Sequence, residues 1–202
     1  MKKTVALEPG KYNRFTGYVN CLGNEGYAEN ATFTIYRGTG VMSWTDGAWN
    51  GSVKNGLWHG GVWNNGTFHG QWFEGTWMDG TWDNSDWYSG MWKNGLWKGG
   101  AWHSGTWENG TWENGAWHSG DWRNGLWIDG IWHNGVWHDG TWKDGLWCRG
   151  DWHGGVWNKG EWLYGRWLGG KWLGGYIRDG FLMPRRWKKG RRPDKMKGAV
   201  AK

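Results

Sequence analysis

Cysteine is almost missing from this chain. Cys21 and Cys148 are its two, far apart and without a CxxC spacing, which argues against a disulfide framework and against a zinc site. Proline is confined to Pro9, Pro184 and Pro193, outside the long middle of the chain. Uninterrupted apolar runs are also lacking, so no helical membrane span is expected. Met1-Lys2-Lys3 has the basic start of a leader, but Thr4 to Leu7 is a short apolar region that Glu8-Pro9 ends. A cytoplasmic or virion location is the expectation. Helical periodicity is absent as well, and so are a nucleophile motif and a phosphate loop followed by a helix.

In their place stand glycine and tryptophan, with 40 Gly and 26 Trp in 202 residues. From Gln71 to Gly175 a tryptophan recurs every five residues, from Trp72 through Trp77 and Trp82 to Trp172, 21 in one frame. Glycine follows three places later nearly every time, and Ser85 is the one break. The unit is x-Trp-x-x-Gly. A strict period of this kind points to stacked repeats rather than disorder. The array begins earlier, at Trp44, Trp49, Val53, Trp58, Trp63 and Phe68, with two four-residue steps that read as shortened corners (Trp49 to Val53, Phe68 to Trp72). Beyond Trp172 the frame continues through Ile177, Leu182 and Trp187.

Asn-Gly, Asp-Gly, Ser-Gly and Gly-Gly fill the end of most pentads, which makes each unit a short extended piece followed by a bend. The residue after tryptophan is commonly charged or His, as at Lys93, Glu108 and Arg123. Alternation along a strand then turns the indole inward. A helix is excluded, because glycine at every fifth position would cost about 1 kcal/mol each time.

Three architectures satisfy the period, all of them all-β. A four-sided β-solenoid suits the bulk of tryptophan and is the favoured expectation. A three-sided coil of fifteen residues is second. It places Lys93 over Glu108, Lys98 over Glu113 and Glu108 over Arg123, and it aligns His103, His118 and His133. An antiparallel meander is third. At about 4.8 Å per layer the three would measure about 30, 40 and 115 Å.

Written as Gly-x-Trp-x-x, residues 42 to 187 resemble the pentapeptide-repeat proteins, whose motif is Ala-(Asp/Asn)-Leu-x-x. That resemblance implies a right-handed quadrilateral β-helix with the central residue inside and the small residue at the corner. It also implies, as one form of function, a DNA mimic that binds topoisomerases. The pattern is similar, too, to Trp/Gly-rich pentad arrays of tailed bacteriophages, which implies a virion component.

Residues 1–41 lack the period and are expected to form an N-terminal β cap or docking segment. Tyr12 to Leu22 and Ala31 to Arg37 are the expected strands, with Gly23-Asn24-Glu25-Gly26 as the turn between them. Residues 42–190 form the pentad solenoid, and residues 191–202 a basic tail. Charge divides accordingly. Between Arg178 and Lys202 ten cations face Asp179 and Asp194, giving +8, while the remaining 14 cations and 16 acids leave residues 1–177 at −2.

No cofactor, metal or catalytic residue is expected. All seven His (59, 69, 103, 118, 133, 138, 153) follow a core aromatic. They read as solvated face positions, with a metal-binding or pH-sensing row as the sharper alternative. Arg185, Arg186, Lys188, Lys189, Arg191, Arg192, Lys195 and Lys197 surround Trp187. Such a run can contact nucleic acid or an acidic partner, or can simply be a solubilising tail. The expected function is a non-enzymatic structural or interaction protein, a rigid accessory or spacer in a larger assembly. Its expected partners are proteins, virion components among them, with homo-oligomers allowed and no membrane. The alternative is a binding module, through the tail, through carbohydrate stacked on exposed Trp, or as a topoisomerase-binding DNA mimic.

Overall fold

A computed structural model describes residues 2–6, 13–15, 22–36 and 41–178. It is an all-β, parallel solenoid of about nine turns without helix. The coil has three sides. In the regular portion every strand pairs in parallel with the strands fifteen residues before and after it: Trp92 lies beside Trp77 and Trp107, and Trp97 beside Trp82 and Trp112. The four-sided expectation is therefore corrected to three. Neighbouring indoles within a coil meet edge to face, Trp92 with Trp97 and Trp97 with Trp102, each pair with centroids 5.9 Å apart and planes at 72° or 71°. Three large rings in mutual edge-to-face contact already fill the cross-section.

The shortened corners behave as expected. A coil containing one of them closes in fourteen residues, so Trp49 pairs with Trp63, Trp58 with Trp72 and Phe68 with Trp82. The core columns continue without offset: Trp58 stacks on Trp44 at 4.9 Å and Trp72 on Trp58 at 4.8 Å.

Each pentad contributes a strand of two or three residues in which the tryptophan points in and its neighbours point out. Tryptophans 44 to 162 are at most 1% exposed. Along each side the rings form an offset stack at the layer spacing, 4.7 Å for Trp92 on Trp107 and 4.6 Å for Trp97 on Trp112. Offset stacks and edge-to-face contacts both bring the negative ring face to a more positive ring region, and each pair adds about 0.5–1.5 kcal/mol beyond the area it buries. Layers are also tied through the backbone, as where the Glu108 amide donates to the Trp92 carbonyl and the Thr106 amide to the Gly90 carbonyl.

The corner requires glycine for two reasons, both visible at Gly125. Its φ is +125°, and a Cβ there would lie 2.5 Å from the Gly110 carbonyl oxygen and 3.3 Å from the Trp107 indole nitrogen. Asn or Asp before the glycine is equally local. The side-chain oxygens of Asp79, Asn114, Asp129 and Asp139 each accept the next amide at 2.7 Å.

The N-terminal strands close the first coil. β1 (Lys2–Ala6) and β2 (Asn13–Phe15) pair antiparallel with β3 (Leu22–Tyr36), which pairs antiparallel with β4 (Val41–Trp58). The expected turn at 23–26 is corrected, because those residues lie inside β3. A register irregularity between Leu22 and Gly26 absorbs the glycines as a bulge rather than a reversal. Phe33 then stacks on Trp44, centroids 5.3 Å apart.

Gly125→Ala is expected to lose about 2 kcal/mol or more in urea unfolding followed by near-ultraviolet circular dichroism, because the clash is with backbone. Ser89→Ala, at an exposed corner, is expected to stay within about 0.5 kcal/mol of the parent. Equal effects would contradict the corner geometry.

Candidate functional site

With the three sides assigned, the outward residues fall into vertical rows, and one row differs from the others. It comprises the residues that follow the first tryptophan column. His59, Phe73, Tyr88, His103, His118 and His133 stack ring on ring at 4.7, 5.1, 4.8, 5.0 and 4.9 Å, with planes within 7°. The register places Cys148 and then Leu163 next in the row. Cys148 is a free thiol, and burial, with Glu161 adding to it, raises its pKa. The row beside it, which precedes the same column, holds Ala101, Ala116, Ile131 and Leu146 in register.

The array in fifteens already aligned His103, His118 and His133. The same count of fifteen extends them to Tyr88 and Phe73, while a single fourteen-residue coil displaces His59 by one. Counting from core residue to core residue finds it. The other His are separate: His138 and His153 stack at 5.4 Å, and a His69 ring nitrogen lies 2.8 Å from the Asp83 carbonyl oxygen.

The remaining sides carry charge in alternation. Glu108 lies 3.7 Å from Lys93 and 3.2 Å from Arg123, as the fifteen-residue register requires. Lys159 pairs with Asp144 at 2.6 Å, and Arg166 with Asp151 through two hydrogen bonds. These cations hold both carboxyls below the usual carboxylate range. The described surface thus shows no continuous acidic stripe.

Among the described residues, no group of three or more His, Cys, Asp or Glu could hold a metal ion. One open furrow of ≈ 810 Å³ runs along the coil across several layers, between a row holding Asp129, Asp144 and Lys159 and a row holding Ile131, Leu146 and Tyr176. No described helix is long and apolar enough to cross a membrane. Carbohydrate stacking on exposed tryptophan is corrected: the described indoles are inside, and Trp172 is the least covered of them. Arg185, Arg186, Trp187, Lys188, Lys189, Arg191, Arg192, Lys195 and Lys197 lie outside the described residues.

The His row gives the fold a pH dependence. Burial, with His133 and His103 adding repulsion, lowers the His118 pKa below its ordinary value. The unfolded chain then takes up a proton more readily, at about 6.5. This contribution is complete above about pH 6.5 and is lost as pH falls through the lower folded value. The urea midpoint is expected to fall as pH drops below about 6.5, and less so in His118→Gln. Identical pH profiles for parent and variant would remove the His row as the cause.

No family model, no curated protein and no solved structure matches this chain.

Proposed function

We propose that this chain is a non-enzymatic rigid rod that serves as an accessory or spacer in a larger assembly, such as a phage particle, and works through protein partners. The observation that carries this reading is the continuous in-register core, indole at every site but Val53 and Phe68 between Trp44 and Trp172, which ties each coil to the next along the array. Bending such a rod would unstack rings along a whole side, so a solenoid of this kind holds its two ends at a set distance and rotation.

The surface supports the same reading. Acids and His are distributed by the repeat, with outward positions on a convex body rather than around a cleft where reacting groups converge. Alternating charges such as Lys93, Glu108 and Arg123 do not resemble the phosphate rows that a DNA mimic must reproduce.

Two measurements test it. Density-gradient fractions of lysate from the source, probed with antibody to the chain, are expected to hold it with particles; recovery in free-protein fractions alone would overturn the assembly role. Deletion of residues 103–117 removes one whole coil and is expected to leave a folded rod shorter by about 4.8 Å. The rod reading fails if that deletion unfolds the chain or leaves the scattering dimension unchanged.

A further inference from the structure

The side that carries the stacked-ring row has a surface unlike the other two. Over four consecutive layers its outward residues are Ala101 with His103, Ala116 with His118, Ile131 with His133, and Leu146 with Cys148. None bears a formal charge when the imidazoles are neutral. Phe73 and Tyr88 continue the ring row toward one end, and Leu163 toward the other. Ile131 is 39% exposed. The other two sides carry Lys93, Glu108 and Arg123, or Lys98, Glu113 and Lys143, at the equivalent positions.

We propose that this side is a docking face for a second copy of the same chain. Three observations select that occupant. First, the face runs straight along the rod, since each layer repeats the one beneath it in parallel register, with one open furrow beside Ile131 and Leu146. Two such faces can therefore meet along their whole length. Second, its eight layers span about 35 Å and one side is about 13 Å wide, so a facing pair covers about 1,000 Å² once side-chain relief is included, the threshold for specific association. Third, its four central layers are uncharged and self-complementary, with Asp86 and Glu161 in the layers on either side of them. A two-fold axis parallel to the rod sets the aliphatic row of one copy on the ring row of the other, so His does not face His. A charged partner would find no counter-charge there and would lose the hydration of its charge on contact, whereas an identical face brings no formal charge to the central layers.

Protonation reverses this. His103, His118 and His133 lie about 5 Å from their row neighbours, and charging them on both copies places up to six cations in one contact. Little nearby acid compensates. Asp86 and Glu161 occur at the ends of the aliphatic row, beyond the four neutral layers. Along one edge run Asp129 and Asp144, the latter paired to Lys159. Along the other edge lie Glu74 and Arg149, of opposite sign, with only Ser and Asn between them. Tyr88 and Cys148 bound the His run.

Sedimentation velocity of the full chain at micromolar concentration tests the proposal. A dimer is expected at pH 7.5, and a shift of at least tenfold toward monomer is expected at pH 5. Ile131→Glu should be monomeric at pH 7.5 with unchanged near-ultraviolet circular dichroism, while Leu126→Glu on another side remains dimeric. The triple variant His103→Gln, His118→Gln, His133→Gln should stay dimeric at pH 5. A parent chain that is monomeric at all concentrations at pH 7.5 would leave the face to a different partner and overturn the proposal. So would an Ile131→Glu chain that dimerises as the parent does.

Discussion

Everything in this molecule follows from stacking like on like at the layer spacing. A parallel, in-register coil places each residue over the one a full turn earlier, at about 4.8 Å. For an indole that spacing is favourable, because an offset stack keeps both faces covered, as in Trp112 on Trp127 at 4.8 Å. For a charged side chain it is unfavourable unless the next layer has the opposite sign. The core can therefore repeat one residue along the array, while charged surface positions gain from alternation, as Lys93, Glu108 and Arg123 show. The corners obey the same spacing. A Cβ at Gly125 would lie 2.5 Å from the Gly110 carbonyl oxygen of the layer below, which leaves no room for a side chain.

The one departure from glycine shows how local that constraint is. Where Ser85 replaces the corner glycine, the positive φ moves back one residue to Asn84, at 47°, the only described non-glycine residue to adopt it. Asparagine tolerates that region better than most residues. The Ser85 hydroxyl donates to the Asp83 carbonyl at 3.0 Å and accepts the Gly70 amide at 2.8 Å. The change then propagates upward. A Cβ at residue 99 would lie 2.3 Å from the Asn84 side-chain oxygen, so any residue larger than Gly99 there would require the Asn84 side chain to move. An irregular corner thus constrains its own layer and the one above, and the tryptophan columns pass through unchanged.

Tryptophan also carries a penalty that phenylalanine would not. In the first column some indole N–H groups reach a carbonyl two residues past the next tryptophan, Trp87 to Ser104 at 3.2 Å and Trp132 to Arg149 at 3.1 Å. Others, such as Trp92, Trp97, Trp107 and Trp112, are buried without a hydrogen-bond acceptor. An unmet buried donor costs about 1–3 kcal/mol. The array tolerates this because each ring contributes a large buried area and contacts on both faces and edges. Phe68 occupies a core site with its ring 5.0 Å from Trp82, so a smaller ring is sterically accepted there. Indole is thus retained for contact area and in spite of its nitrogen.

Much of this was legible in the residues and part was not. The period of five, the inward tryptophan, the glycine bend and the two short corners are local, and local spacing revealed them. The number of sides is not local. Ring volume argued for four and the register of surface charges for three, and the answer depended on how indoles meet across the axis, which no single pentad encodes. The strand through Gly23 to Gly26 was misread as a turn because glycine marks a bulge and a reversal alike. The stacked row from His59 to His133 was half visible: its histidines align in fifteens, Phe73 and Tyr88 continue the same count as rings of another type, and one short coil shifts His59 out of it. Its significance lies in the same register that builds the core. Neutral rings gain from lying over one another where like charges are repelled, so a side can form a continuous stripe of uniform chemistry only if that stripe is uncharged. The side running from Ala101 to Cys148 meets that condition at neutral pH, and protonation of its three histidines would remove it.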